Sequence, residues 1–246
     1  MPDTSMSQRM MLPLAVFILL ASAAITSAQI PGQFAQDFVA GRVPSDEEIA
    51  KLEQDVTAHP NDFRMVRKLG KGYFFQFFGE GRTSSMAKSR KMLQRALELK
   101  KDDAETTAYL GALAALVAQR AKDPAEKEAS ARRAFDLLKK AQELEPNNGA
   151  VLAVTGASFL SLPDSFGGAQ LTVDTLEKFR RMMGPMFARQ SHHGQQRILL
   201  TLGQAYGKLG QTGKARALFE EGLKADQDSV EATMLKAELG KLRAQP

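Results

Sequence analysis

Three groups of residues have types and spacings that could do chemistry. His192 and His193 could ligate a metal, but successive residues of a helix point in different directions. Their neighbourhood lacks the acidic or further histidine ligands that a metal site needs. The expectation is an exposed loop beside Gly194 and no metal. The run from Gly207 through Gly210 to Gly213-Lys214 resembles a phosphate-binding loop. That loop needs four residues between its glycines, Ser or Thr after the lysine, and a strand before it. Here five residues separate Gly207 from Gly213, Ala215 follows the lysine, and a helical pattern precedes. A tight turn between helices is the expected structure. Ser85 and Lys88 have the Ser-x-x-Lys spacing of some serine hydrolases, without that class's accompanying motifs. With no cysteine, thiolate chemistry and disulfides are excluded. No catalytic residue, metal site or cofactor is expected, and the sequence points away from an enzyme.

Charge offers a second kind of chemistry. Residues 63–101 hold eleven bases, among them Arg64, Arg67, Lys71, Arg82, Lys88 and Arg95, against Glu80 and Glu98. That stretch carries +9 in a chain of net +5, so the remainder is near −4. A basic block of this kind suits an acidic protein segment or an anionic envelope surface. Nucleic acid is not expected for an exported chain. The aromatic run from Tyr73 to Phe78 is expected to fill a broad core seam, with Phe74 or Phe75 as the alternative binding anchor.

The elements that position these residues recur. Segments 66–73, 107–114, 152–159 and 199–206 share a helical pattern with glycine at one place: Gly70, Gly111, Gly156 and Gly203. Pro60, Lys101 and Pro146 each lie ten residues before the next such glycine. A second helix follows each first one, with Leu93 and Ala96, Leu138 and Ala141, and Ala215 and Phe219 in matching places. Small residues there let helices approach, and Leu or Phe fills the gap.

In these positions the chain resembles the tetratricopeptide repeat (TPR) family, a helical hairpin of about 34 residues with Leu-Gly-x-x-Tyr in its first helix and Ala-x3-Phe in its second. Leu202, Gly203, Tyr206, Ala215 and Phe219 match without insertion. The first repeat carries extra residues near 79–85 and the second near 121–131, expected as extra loops, and the third breaks at 162–168. The resemblance implies an all-α superhelix of about ten helices and no strand over residues 45–243. A capping helix at 45–60 leads four repeats, near 63–101, 104–146, 149–190 and 196–229, and a helix at 230–243 closes them. Ser45 and Glu48 have capping-box spacing.

By the same resemblance, the first helix of each repeat lines a concave groove. Its expected residues are Arg64, Arg67, Lys71 and Phe74, then Glu105, Ala108, Ala112 and Ala115. Ala150, Ala153, Ala157 and Leu160 follow, then Arg197, Leu200, Gln204 and Gly207. That gives a basic rim at one end and a floor of small apolar residues. Tyr109 stands where a family carboxylate clamp would have asparagine, so no clamp is expected.

Arg9 precedes the largely apolar residues 10–25, and Thr26-Ser27-Ala28 follow. This is the pattern of a signal peptide cleaved after Ala28, with an uncleaved N-terminal anchor as the alternative, and it is shorter than the ~20 residues of a spanning helix. Residues 29–44 read as a flexible lead-in. The expectation is a periplasmic or secreted, non-catalytic scaffold that binds a protein or peptide in its groove. The alternative is a periplasmic carrier of a small hydrophobic ligand, accessory to a transporter or envelope machinery.

Overall fold

The computed structural model describes residues 43–243, and the expected signal segment and most of the lead-in lie outside them. The described residues form ten α-helices and two short 3-10 turns, with no strand. In chain order the helices are α1 (Asp46–Ala58), α2 (Phe63–Glu80), α3 (Thr83–Leu99), α4 (Ala104–Arg120) and α5 (Pro124–Leu144). After them come α6 (Gly149–Phe159), α7 (Gly168–Met183), α8 (His192–Lys208), α9 (Thr212–Ala225) and α10 (Val230–Arg243). Among the described residues no helix is long and apolar enough to cross a membrane.

Short polar signals start these helices. Asp62, Asp103, Asp123 and Asn148 each accept hydrogen bonds from first-turn amides of α2, α4, α5 and α6. At α1 the capping box forms: Ser45 Oγ accepts from the Glu48 amide at 3.2 Å, and the Ser45 amide donates to Glu48 Oε2 at 2.9 Å. Gly81 ends α2 and Gly210 turns α8 into α9, both with positive φ (71° and 74°) that favours glycine. The run from Gly207 to Lys214 is therefore a helix–turn–helix corner.

Pairs α2–α3, α4–α5, α6–α7 and α8–α9 are antiparallel hairpins, each packed against the next to make an α-solenoid. Helix α1 covers the front against α2, and α10 packs on α8 and α9. One feature of the sequence builds all four hairpins. A Cβ placed on Gly70 would lie 2.9 Å from Leu93, and one on Gly111 would lie 2.9 Å from Leu138. On Gly156 it would meet Leu176 at 2.5 Å, and on Gly203 the Phe219 ring at 2.3 Å. Each first helix thus has a notch, and the second helix of its hairpin inserts a large apolar side chain there.

Two expectations change. The extra residues of the first two repeats make no loops. They lengthen helices, to 18 residues in α2 and 21 in α5, joined to their partners by only a few residues. Only the third hairpin has a true break, where a 3-10 turn at Asp164–Phe166 lies between α6 and α7. His192 and His193 are not in a loop either. They open α8, where Ser191 Oγ accepts from the Gly194 amide at 3.2 Å, and His193 Nδ1 lies 2.8 Å from Glu231 Oε2.

Candidate functional site: the concave cavity

Helices α2, α4, α6 and α8 line the inner side of the solenoid, and α10 extends that row. Their facing surfaces enclose an open cavity of about 680 Å³. Phe74, Ala112, Ala115, Ala157 and Leu160 form its apolar floor. Phe78 and Leu116 continue that floor one turn further along α2 and α4. At the opposite side Gln204, Lys208 and, from α10, Glu238 and Lys241 supply polar groups. Gln204 Nε2 donates to Glu238 Oε1 at 2.9 Å, and Lys241 pairs with the same oxygen at 3.0 Å.

The aromatic run serves both core and cavity. Phe77 is fully buried, and Phe75 packs edge-on against Phe74. Phe74 meets Tyr109 edge-to-face at 5.0 Å and stacks on Phe78 at 5.9 Å. Phe78 is 45% exposed, the only one of these rings with a large free face among the described residues.

The expected groove residues divide accordingly. Phe74, Ala112, Ala115, Ala157, Leu160, Gln204 and Gly207 are brought together around the cavity. Ala108 and Ala153 have no exposed surface, because the inner helices pack directly on one another there. They back the floor and present nothing to a visitor. Glu105, Ala150 and Leu200 are also buried. Arg64 is exposed at the start of α2. Phe78, Leu116, Lys208 and the α10 residues were not expected. Phe78, Leu116 and Lys208 each lie four residues beyond an expected groove position, so extending that stripe by one turn finds them.

The basic rim is not what the sequence suggested. Lys71 is 2% exposed and its ammonium pairs with Glu105. Arg67 lies 3.1 Å from Asp103 and 3.2 Å from Glu105. Arg82 pairs with Asp46, Lys88 with Glu53, Arg95 with Glu98 and Lys100 with Asp103. Six of the eleven bases therefore meet carboxylates of this same chain, carried mostly by α1 and the start of α4.

The Ser85–Lys88 spacing has a structural account too. Ser85 is buried and its hydroxyl donates to Gln76 Oε1 at 3.0 Å. Lys88 reaches instead to Glu53 and over the Tyr73 ring at 5.1 Å. The Tyr73 hydroxyl also donates to Glu53, which ties α1 to α2. Among the described residues no group of three or more His, Asp or Glu side chains could hold a metal ion.

Two buried carboxylates make stability depend on acid. Burial raises the pKa of Asp103, but hydrogen bonds from the Thr106 hydroxyl and amide, with Arg67 and Lys100, more than offset it. Its carboxyl is held below the ordinary value of about 3.9. Glu231 is likewise raised by burial and lowered further by His193 and Arg197. A depressed folded pKa stabilises fully above the unfolded value, and that stability is lost as pH falls through the folded one. Urea unfolding of Asp103→Asn and the parent should therefore show a gap at neutral pH that narrows below about pH 4.

This architecture defines the chain as an α-solenoid of helical hairpins with a concave inner surface. A tetratricopeptide repeat family model matches residues 197–239, the fourth hairpin with most of α10. A thermophilic TPR protein of Thermus thermophilus is similar with a TM-score of 0.61 at 14% identity, over 87% of this chain and 97% of that one. Two crystal structures of MamA share 20% identity at TM-scores of 0.44 and 0.45, over 74% and 73% of this chain and 82% and 87% of theirs. No curated protein matches the sequence. Residues 197–239 match the tetratricopeptide repeat, and the described residues share the fold of a TPR solenoid.

Proposed function

We propose that this chain is a non-catalytic scaffold that acts outside the cytoplasm and receives an apolar segment of a partner protein in its concave cavity. The observation that carries this reading is the cavity itself: an open concavity of about 680 Å³ floored by Phe74, Phe78, Ala112, Leu116, Ala157 and Leu160. Small residues in the floor leave room for bulky side chains of a bound helix or extended segment, and aromatic rings give those side chains a rigid surface. Gln204, Lys208 and Lys241 would meet the segment's polar groups. Any acidic feature of the partner, or an anionic envelope surface, would meet exposed Arg64 and Lys68, because Arg67 and Lys71 are committed to Asp103 and Glu105. Export is proposed from the apolar residues 10–25 and the small residues 26–28, and N-terminal sequencing of the mature chain tests it.

The cavity volume also favours a second reading, since pockets for small molecules span about 300–1,000 Å³. A small hydrophobic ligand could fill the same space. Photoreactive residues at Ala157 and Gln204, read by mass spectrometry from the native compartment, separate the two. One protein captured from both positions supports the scaffold. Lipid or metabolite adducts without protein support the carrier.

A further inference from the structure

Arg197 stands out because it touches a hairpin that is not its neighbour. In a solenoid each repeat packs on the next, so the first and fourth hairpins have no obligation to meet. Yet the guanidinium of Arg197, at the start of α8, lies 5.6 Å from the centre of the Phe78 ring, at the end of α2. Two whole hairpins separate these helices along the chain. Phe78 lines the cavity, and so does Thr201, one turn along α8 from Arg197.

The two sides of this contact are held differently. Arg197 is fixed from behind: its Nε donates at 2.9 Å to Glu231 Oε1, and Glu231 is itself buried and bonded to His193. Phe78 lies in the last turn of its helix, just before Gly81, and rests only on Phe74 and the arginine in its ring contacts among the described residues. A cation over a ring face at a part-exposed site shifts an equilibrium by about two- to fivefold. That is small enough to break with modest bending of the solenoid, which spreads over three hairpin interfaces. It is large enough to bias the population of closed and open forms.

We propose that Phe78 and Arg197 form a latch across the groove, closed in the empty chain and parted when an apolar segment enters and takes over the face of the Phe78 ring. The latch rests on the cavity reading only for what opens it. Its existence concerns the empty protein alone.

The chain has no cysteine, so spin labels can be placed uniquely on cysteines introduced at the exposed positions Ser84 and His192. Distances are then measured without any partner. The parent should give one narrow distribution. Phe78→Lys, which sets ammonium against guanidinium, should add a longer-distance population and lower the closed-to-open ratio by about two- to fivefold, the worth of one cation–π pair. Phe78→Glu should keep the parent distance, because its carboxylate can pair with Arg197. Adding Arg197→Gln should abolish the difference between the two variants. A purely apolar packing role for Phe78 predicts that lysine and glutamate open the groove alike, and that result overturns the latch. Helical content by circular dichroism confirms that each variant is folded. Because no partner is present, a chain that binds nothing in its cavity would still return this result.

Discussion

Replacing Phe219 with alanine should cost about 3–5 kcal/mol of stability, measured by urea unfolding. The side chain is 2% exposed and fills the notch at Gly203, where α8 and α9 meet. Removing it leaves a hole that two rigid helices cannot close. The notch supplies a sharper test. In the parent, Gly203→Ala would push a methyl to 2.3 Å from the Phe219 ring, and overpacking of that kind costs about 1–3 kcal/mol. In the Phe219→Ala background the same methyl enters vacated space and gains the helix propensity that glycine lacks, about 0.5–1 kcal/mol. The sign of the Gly203→Ala effect should therefore reverse. If it destabilises equally in both backgrounds, the notch and the ring are not in contact as described.

The second large effect concerns the buried ion cluster between the first two hairpins. Glu105→Ala should lose about 3–5 kcal/mol, because the Lys71 ammonium stays buried after losing its carboxylate. Arg67 loses a carboxylate partner in the same step. The combined Lys71→Met and Glu105→Leu variant should recover most of the loss, since apolar side chains of similar size fill the site without charges to desolvate. A double variant no more stable than Glu105→Ala would mean that the charges themselves hold the hairpins together. Both outcomes are read from denaturant midpoints at neutral pH.

Much of this fold was legible in the sequence. Four glycines in register with Leu93, Leu138 and Phe219 are close to a direct statement of the notch packing, because only glycine admits so near an approach. Ser45 and Glu48 announced the front helix equally well. The charge reading went astray for a reason sequence spacing hides. Lys71 and Glu105 lie 34 residues apart and meet only because α2 and α4 stand side by side. The basic run therefore read as a rim for a partner, although its own chain neutralises much of it. His192 and His193 were misplaced because Ser191 was not taken as a helix cap. Ala108 and Ala153 were expected to face the groove, but positions of small residues are also where inner helices touch. Phe78 was missed because α2 runs longer than a 34-residue repeat requires.

The central claim is that the cavity between α2, α6 and α8 receives the partner. Ala157 is half-buried and lines it, so Ala157→Trp puts an indole into the space without disturbing the buried core behind. The measurement is photocapture from Gln204 in the native compartment, comparing the parent with Ala157→Trp at matched folding and melting temperature. The account predicts one captured protein in the parent and at least about a tenfold loss in the variant, the cost of removing a well-packed apolar anchor. Capture that is undiminished with the cavity filled would contradict it and place the partner elsewhere on the solenoid.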